Sequence, residues 1–176
     1  PVKPSVFTGT LLADGELSLV DGETVLSAWN FKVIADQPPK IDFAVEPERA
    51  LNGTLTLTYK GTDDYGLASA TALIVPDNAT PGARPLFEAP EVKLSVPGRK
   101  SKDGIAKTSK DLSEHPWAGA PVKLSLSALD DAKQEGHSPA KAVLLPERIF
   151  TNMLAAALIE QRRLLALDAG AKGRVM

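Results

Sequence analysis

Residues 121–130 read PVKLSLSALD and carry the clearest strand pattern in the chain. Val122, Leu124, Leu126 and Ala128 recur at every second position, with polar residues at most of the positions between them. Alternation at period two is typical of a β-strand that buries one face. Six further short strand-like stretches with turn signals between them lie between residues 40 and 146. The pattern predicts a mainly β chain, with a seven-strand antiparallel immunoglobulin-like sandwich over residues 38–146.

Residues 1–37 repeat the strand pattern ahead of a break. Three strand-like stretches precede it, namely SVFTGTLLA, GELSLV and TVLSAWNFKVIA. The sequence Asp36-Gln37-Pro38-Pro39 then interrupts the alternation, because proline lacks a backbone donor and favours extended conformations. We therefore expect residues 1–37 to be strands of a preceding β-module, with Trp29 and Phe31 outside the core of the 38–146 sandwich.

Residues 147–176 change the period from two to that of a helix. The stretch 147–168 contains neither Gly nor Pro, Pro146 suits a helix start and Gly170 suits a stop. We expect Ile149, Phe150 and Met153 to pack against the end of the sandwich. The apolar half of the predicted cylinder comprises Ile149, Phe150, Met153, Leu154, Ala157, Leu158, Leu164 and Leu165, and the other half carries Arg148, Thr151, Asn152, Arg162 and Arg163.

The second half of this helix has two alternatives. It either folds back along a sheet or projects beyond the domain. A projecting apolar face is costly in water, so it would bind a protein partner or a second copy of the chain. The residues predicted to make that contact are Leu154, Leu158, Leu164 and Leu165.

Candidate catalytic side chains occur together in KDLSEHPW. Asp111, Ser113 and His115 have the residue types of a nucleophile triad, but alternate positions of an extended segment are about 7 Å apart, too far for the hydrogen bonds required. We therefore predict no enzyme activity and no cofactor, and we expect this segment to be a turn with Trp117 buried beyond it.

Two pairs of carboxylates are the candidate ligand-binding residues. Asp63-Asp64 and Asp130-Asp131 follow strands whose loops emerge at one end of an immunoglobulin-type sandwich. Converging oxygen atoms could hold Ca²⁺, although aspartate also caps tight turns through its own side chain. A loop-end site for calcium or an envelope glycan is therefore the alternative to protein interaction, and turn capping is the expected outcome.

The overall charge and composition exclude several functional classes. The formal net charge is −2, and there are 2 histidines and no cysteine, so neither disulfides nor cysteine-based metal sites can form. His115 and His137 have no metal-ligand spacing. The basic stretch Arg99, Lys100, Lys102, Lys107 and Lys110 is interrupted by aspartates and lacks interleaved aromatic residues, so we expect no nucleic-acid binding.

Several strings together resemble one known family. They are WNFKVIADQPPKI, DDYGL, DLSEHPWAG, ALDDAKQEGHS, LPERIF and ALIEQRRLLA. As a set, and in this order, they are similar to the alphaproteobacterial membrane protein family named for domain of unknown function 4175. The resemblance implies β-sandwich modules on the periplasmic side of the inner membrane and a membrane anchor outside this segment. It also leads us to expect a glycine in the loop that here reads Ala132-Lys133-Gln134.

These expectations agree on one functional reading. The chain starts at Pro1 without a secretory signal, so we expect a segment excised from a longer protein. The resemblance implies that this segment is the periplasmic part of an inner-membrane protein. We predict a non-catalytic structural or protein-interaction module.

Overall fold

The computed structural model describes residue 6 and residues 8–77, 83–97 and 104–174. The chain divides into two compact units, Pro1–Asp36 and Gln37–Met176. None of the helices in these described ranges is long and apolar enough to cross a membrane.

The first unit contains an antiparallel hairpin. Strand β1 (Gly15–Asp21) pairs with β2 (Thr24–Phe31), and Gly22 adopts a φ of 59° at the first position of the two-residue turn between them. Of the three predicted strands, SVFTGTLLA is wrong: Val6 and residues 8–12 belong to no strand, and Ser5 and Phe7 lie outside the described residues.

The side chains of the hairpin divide into an apolar and a polar face. Leu17 is opposite Trp29, and Glu16 is opposite Asn30. Every residue of both strands is nevertheless exposed. The alternation thus forms strands here, but the described residues of this unit contain no second sheet that could cover their apolar face.

The second unit is a two-sheet sandwich. Its strands are β3 (Lys40–Phe43), β4 (Glu48–Arg49), β5 (Thr54–Thr62), β6 (Leu67–Pro76), β7 (Val92–Leu94), β8 (Ile105–Asp111), β9 (Pro121–Asp130), β10 (Glu135–His137) and β11 (Lys141–Leu144). In one sheet β5 pairs with β3 and β4 on one side and with β8 on the other. In the other sheet the order is β7–β6–β9, and β9 also pairs with β10 and β11. All of these pairings are antiparallel.

This arrangement confirms the predicted mainly β fold with an immunoglobulin-like sandwich. The chain changes sheet between β5 and β6, between β7 and β8, and again between β8 and β9, which is a Greek-key connection. All seven predicted strands are present. The sandwich also contains β4 and β10, which were not predicted because two and three residues are too few to show a period.

The core lies between the two sheets and is built from the alternate residues that the sequence predicts. Leu55, Leu57 and Tyr59 of β5 face the inward row of β9, and all are buried. Tyr59 retains a partner for its hydroxyl, which donates to the carbonyl oxygen of Ser95 at 2.6 Å. Trp117 is 2% exposed, which confirms its predicted burial.

The C-terminal helix begins later than predicted. Helix α1 (Met153–Leu167) starts after Asn152, whose side-chain oxygen accepts from the backbone N–H groups of Leu154 and Ala155. The predicted start at residue 147 is therefore wrong by six residues. The side chain of asparagine can accept hydrogen bonds from the first backbone amides of a helix, and Pro146-Glu147 offers no such cap. A short 3₁₀ helix, Ala169–Arg174, follows.

Candidate interaction surface

The C-terminal end of α1 docks onto the sandwich. Ala166 is 1% exposed within the hydrophobic core, and Leu167 packs against that core. Its backbone also participates: the N–H of Leu86 donates to the carbonyl oxygen of Ala166 at 3.0 Å, and the N–H of Ala169 donates to that of Arg84 at 2.8 Å. The segment before β7 therefore holds the end of the helix through main-chain hydrogen bonds.

Arg163 is the side chain that anchors the helix. Its guanidinium donates to Glu147 Oε2 at 3.0 Å and to the carbonyl oxygen of Ala118 at 3.4 Å, and it also contacts Glu160. Gly119 makes this approach possible, because it has a φ of 74° and a methyl group there would overlap the Arg163–Glu147 pair. Neither Glu147 nor Gly119 stood out in the sequence, since the signal is the spatial meeting of residues far apart in the chain.

The expected packing of the helix is reversed in the structure. We expected Ile149, Phe150 and Met153 to pack on the sandwich, and that is wrong: all three are exposed. The second half of the helix docks instead, so this half folds back onto the sandwich rather than projecting beyond it. The physical reason is that Arg162 and Arg163 donate to the backbone carbonyl oxygen atoms of Glu114 and Ala118, and Arg163 also binds the carboxylate of residue 147.

The leucine-rich face of α1 points away from this docked side. With about 100° of rotation per residue, Ala155, Ile159 and Ala166 share one side of the helix and the predicted contact residues share the other. Leu154 is 82% exposed and Leu158 is 71% exposed. Leu164 is 37% exposed, and Leu165 is half-buried. We call Met153, Leu154, Ala157, Leu158, Leu164 and Leu165 the outer face of α1.

The residue types of the nucleophile triad serve as local caps. Asp111 Oδ1 accepts from the N–H of Ser113 at 2.9 Å, and this hydrogen bond lowers the pKa of the Asp111 carboxyl. His115 Nδ1 accepts from the N–H of Trp117 at 3.1 Å. Partial burial, and secondarily the charge of Arg162, lower the pKa of His115, so the imidazole is neutral at pH 7. Asp111 Oδ1 and His115 Nδ1, which would bind each other in a triad, thus each accept a hydrogen bond from a backbone amide.

The carboxylate pairs lie at one end of the sandwich but form turns. Leu67 of β6 is opposite Asp130 of β9, so the β5–β6 and β9–β10 turns are neighbours. Asp63 Oδ2 accepts from the N–H groups of Tyr65 and Gly66, and Asp130 Oδ1 accepts from that of Gln134. Asp64 Oδ2 accepts from the N–H of Gln37 at 3.4 Å. Among the described residues, which include Asp131, no group of three or more metal-binding side chains is placed to hold an ion.

The remaining histidine and the basic residues lie on strands. His137 Nε2 is 3.3 Å from Glu135 Oε2 on β10. Lys107 and Lys110 lie on edge strand β8, where Lys107 is 3.9 Å from Glu48. Arg99, Lys100 and Lys102 are outside the described residues.

Fold and surface together define an immunoglobulin-like sandwich whose C-terminal helix is anchored at one end and leaves its outer face uncovered by the rest of the second unit. The chain belongs to the family described as a domain of unknown function (DUF4175), whose model matches residues 2–176. No curated protein and no solved structure matches the chain.

Proposed function

We propose that this chain is a non-catalytic protein-interaction module, and that the outer face of α1 binds an apolar helix of a partner protein or of a second copy. The observation that carries the proposal is the docking of α1 by its arginine-bearing side, which leaves Leu154 and Leu158 in water. Fully burying a leucine stabilises by roughly 1.5–3 kcal/mol. A partner that covers this face therefore gains a large part of its affinity from two side chains.

The rigid attachment of the helix favours recognition. Because Arg163, Ala166 and Ala169 bind the C-terminal end to the sandwich, the exposed first turns are presented without free rotation about a linker. Preorganisation of this kind lowers the entropic cost of binding. The Asn152 cap adds to it by holding the first turn of the helix in place.

The setting we propose is the periplasmic part of a membrane-anchored inner-membrane protein of alphaproteobacterial type. The support is the set of sequence strings that resemble that family, together with the family match over residues 2–176. Protease digestion of spheroplasts, in which only periplasmic segments are accessible, tests the placement. Cleavage of this domain only after the inner membrane is permeabilised would contradict it.

Light scattering over a concentration series tests the interaction surface. The test variant is Leu154→Asp with Leu158→Asp, and the matched control, Thr151→Asp with Ala156→Asp, adds the same charge to the same end of the helix. If a second copy is the partner, wild type and control form dimers and the test variant is a monomer. Because neither leucine is buried in the monomer, the variant should melt at the temperature of the dissociated wild type at low concentration.

If wild type is a monomer, the partner is another protein. A photo-crosslinking residue at position 158 in the full-length protein, in its native membrane, should then yield a discrete crosslinked protein that the same residue at position 156 does not. A monomeric wild type without such a position-dependent crosslink contradicts the proposal. A melting temperature that collapses in the test variant alone does so as well, since it would mean that the outer face is internal packing.

A further inference from the structure

A groove of about 730 Å³ lies at the edge of the sandwich, between the segment that precedes β7 and the end of β8. One wall comes from residues 86–91 and the other from residues 110–112, 114 and 115. Its volume falls in the range of ligand-binding clefts. It is separate from the outer face of α1, and no role in the proposed function accounts for it.

Buried Trp117 holds both walls of the groove. Its indole Nε1 donates to the carbonyl oxygen of Phe87 at 3.2 Å, and its backbone N–H donates to His115 Nδ1. The hydrogen bond from Leu86 to Ala166 fixes the first wall a second time. The groove is therefore preformed in the folded domain rather than a gap between loose loops.

The side chains that line the groove combine apolar groups with more carboxylates than cations. Leu86 and Phe87 are 57% and 49% exposed at the first wall. The lining carries the carboxylates of Glu88, Glu91, Asp111 and Glu114 against the single lysine Lys110, and His115 is neutral at pH 7. A cationic ligand with apolar portions complements such a surface.

Cationic side chains also flank the lining. The charge of Arg148 acts on Asp111, and that of Arg162 acts on His115. Glu91 is 3.5 Å from Lys93, and Glu114 is 3.6 Å from Arg148. Exposed ion pairs contribute little to stability, so an incoming ammonium or guanidinium group can replace them at small cost. At the second wall the sandwich edge is open to an extended chain, because β8 pairs with β5 on one side only among the described strands.

We propose that this groove binds an extended protein segment in which lysine or arginine alternates with apolar residues. The basic side chains meet the four carboxylates, and the apolar ones pack on Leu86 and Phe87. The proposal does not depend on the outer face of α1, so the two surfaces can be tested in the same protein.

Trp117 provides the measurement. With Trp29→Phe it is the only tryptophan left of the two in the chain, and its emission reports on the groove. A short peptide in which lysine and leucine alternate should change the Trp117 emission in a saturable way, and calorimetry should confirm binding. Its affinity should fall several-fold when the salt concentration is raised from about 50 to about 300 mM. The same peptide with glutamate in place of lysine should not bind.

Charge variants locate the site. Glu88→Lys with Glu91→Lys should weaken binding about tenfold or more, whereas Glu23→Lys with Glu48→Lys, an equal change in net charge elsewhere, should alter it by less than about twofold. Lys110→Glu should tighten binding, which no loss of folding can imitate. The proposal is overturned if the two double variants weaken peptide binding equally, or if Lys110→Glu does not increase the affinity for the peptide. It is also overturned if Ca²⁺ alone reproduces the Trp117 signal and blocks the peptide, because the groove would then be a site for small cations.

Discussion

Strands β2 and β9 share one pattern of alternating apolar residues and have different surroundings. On β9 the inward residues are at most 1% exposed: Val122, Leu124, Leu126 and Ala128. On β2, Trp29 and Phe31 keep 48% and 37% of their surface exposed. The difference is that β9 faces a second sheet within its own unit, whereas the β1–β2 hairpin is two strands wide. Alternation therefore indicates a strand with one apolar face, and only a second layer turns that face into a core.

The largest effect we predict separates the two strands directly. Leu124→Ala should lower the free energy of unfolding by about 2–5 kcal/mol, because it leaves a cavity between the sheets. Trp29→Ala, although it removes a larger side chain, should cost less than about 1 kcal/mol because Trp29 is half exposed. Urea denaturation followed by circular dichroism measures both. A Trp29→Ala cost equal to that of Leu124→Ala would mean that the hairpin has its own well-packed cover.

A pair of glycines gives the next largest contrast. Gly119→Ala should destabilise the sandwich unit by about 1–3 kcal/mol, because φ is 74° and the new methyl group displaces Arg163 from Glu147. Hydrogen exchange should show faster exchange in α1 than in β9, since the helix loses its anchor. In the hairpin unit, Gly9→Ala meets nothing within 4 Å and should change stability by less than about 0.5 kcal/mol. Uniform acceleration of exchange across the sandwich in Gly119→Ala would argue against a local anchor.

The turns of the two units allow a stabilising substitution. Gly22 supplies the positive φ in the β1–β2 turn, but the β9–β10 turn places Lys133 at a φ of 67°. The glycine that the family resemblance led us to expect in this loop suits that conformation. Lys133→Gly should raise the free energy of unfolding by up to about 1 kcal/mol. Lys133→Ala, which removes the side chain and keeps the strained φ, is the control and should bring no gain; equal gains in both would trace the effect to the lysine charge instead.

The smallest predicted effect is a pH dependence of the sandwich unit. Because the folded-state pKa of His115 lies below its ordinary value, the unfolded chain takes up the proton first. The stabilisation is complete above about pH 6.5 and is lost as the pH falls towards the folded-state pKa. The imidazole is partly exposed, so we expect a loss smaller than about 1 kcal/mol. His115→Gln should remove this dependence in melting experiments between pH 7 and 5, and His137→Gln should retain it.

The helix shows why a correct periodicity can still give the wrong packing. The apolar face with Leu154 and Leu158 was predictable from spacing alone and is present from Met153 onward, whereas residues 149 and 150, predicted to share it, precede the helix. The orientation of this face was not predictable, because the oxygen atoms that Arg163 binds come from residue 118 and residue 147, and neither is recognisable as a partner before the chain is folded. The start of the helix was predictable in principle, since asparagine at position 152 is a favoured N-cap.

The groove was less accessible to sequence reasoning. Residues 86–91 have no regular period, and their acidic and apolar side chains acquire meaning only beside residues 110–112, 114 and 115. Asp111 and His115 attracted attention for a different chemistry, and the structure shows that each binds a backbone amide.

The sequence by itself determined the strands of the sandwich, the burial of Trp117, the break near residue 37 and the existence of a C-terminal amphipathic helix. These follow from local periods and from proline, which act over a few residues. The tertiary structure alone decided which face of α1 docks, which carboxylates line a groove and that Asp63 and Asp130 cap turns. Each of these depends on contacts between distant segments, whose energies come from hydrogen-bond partners and a second sheet that no local pattern contains.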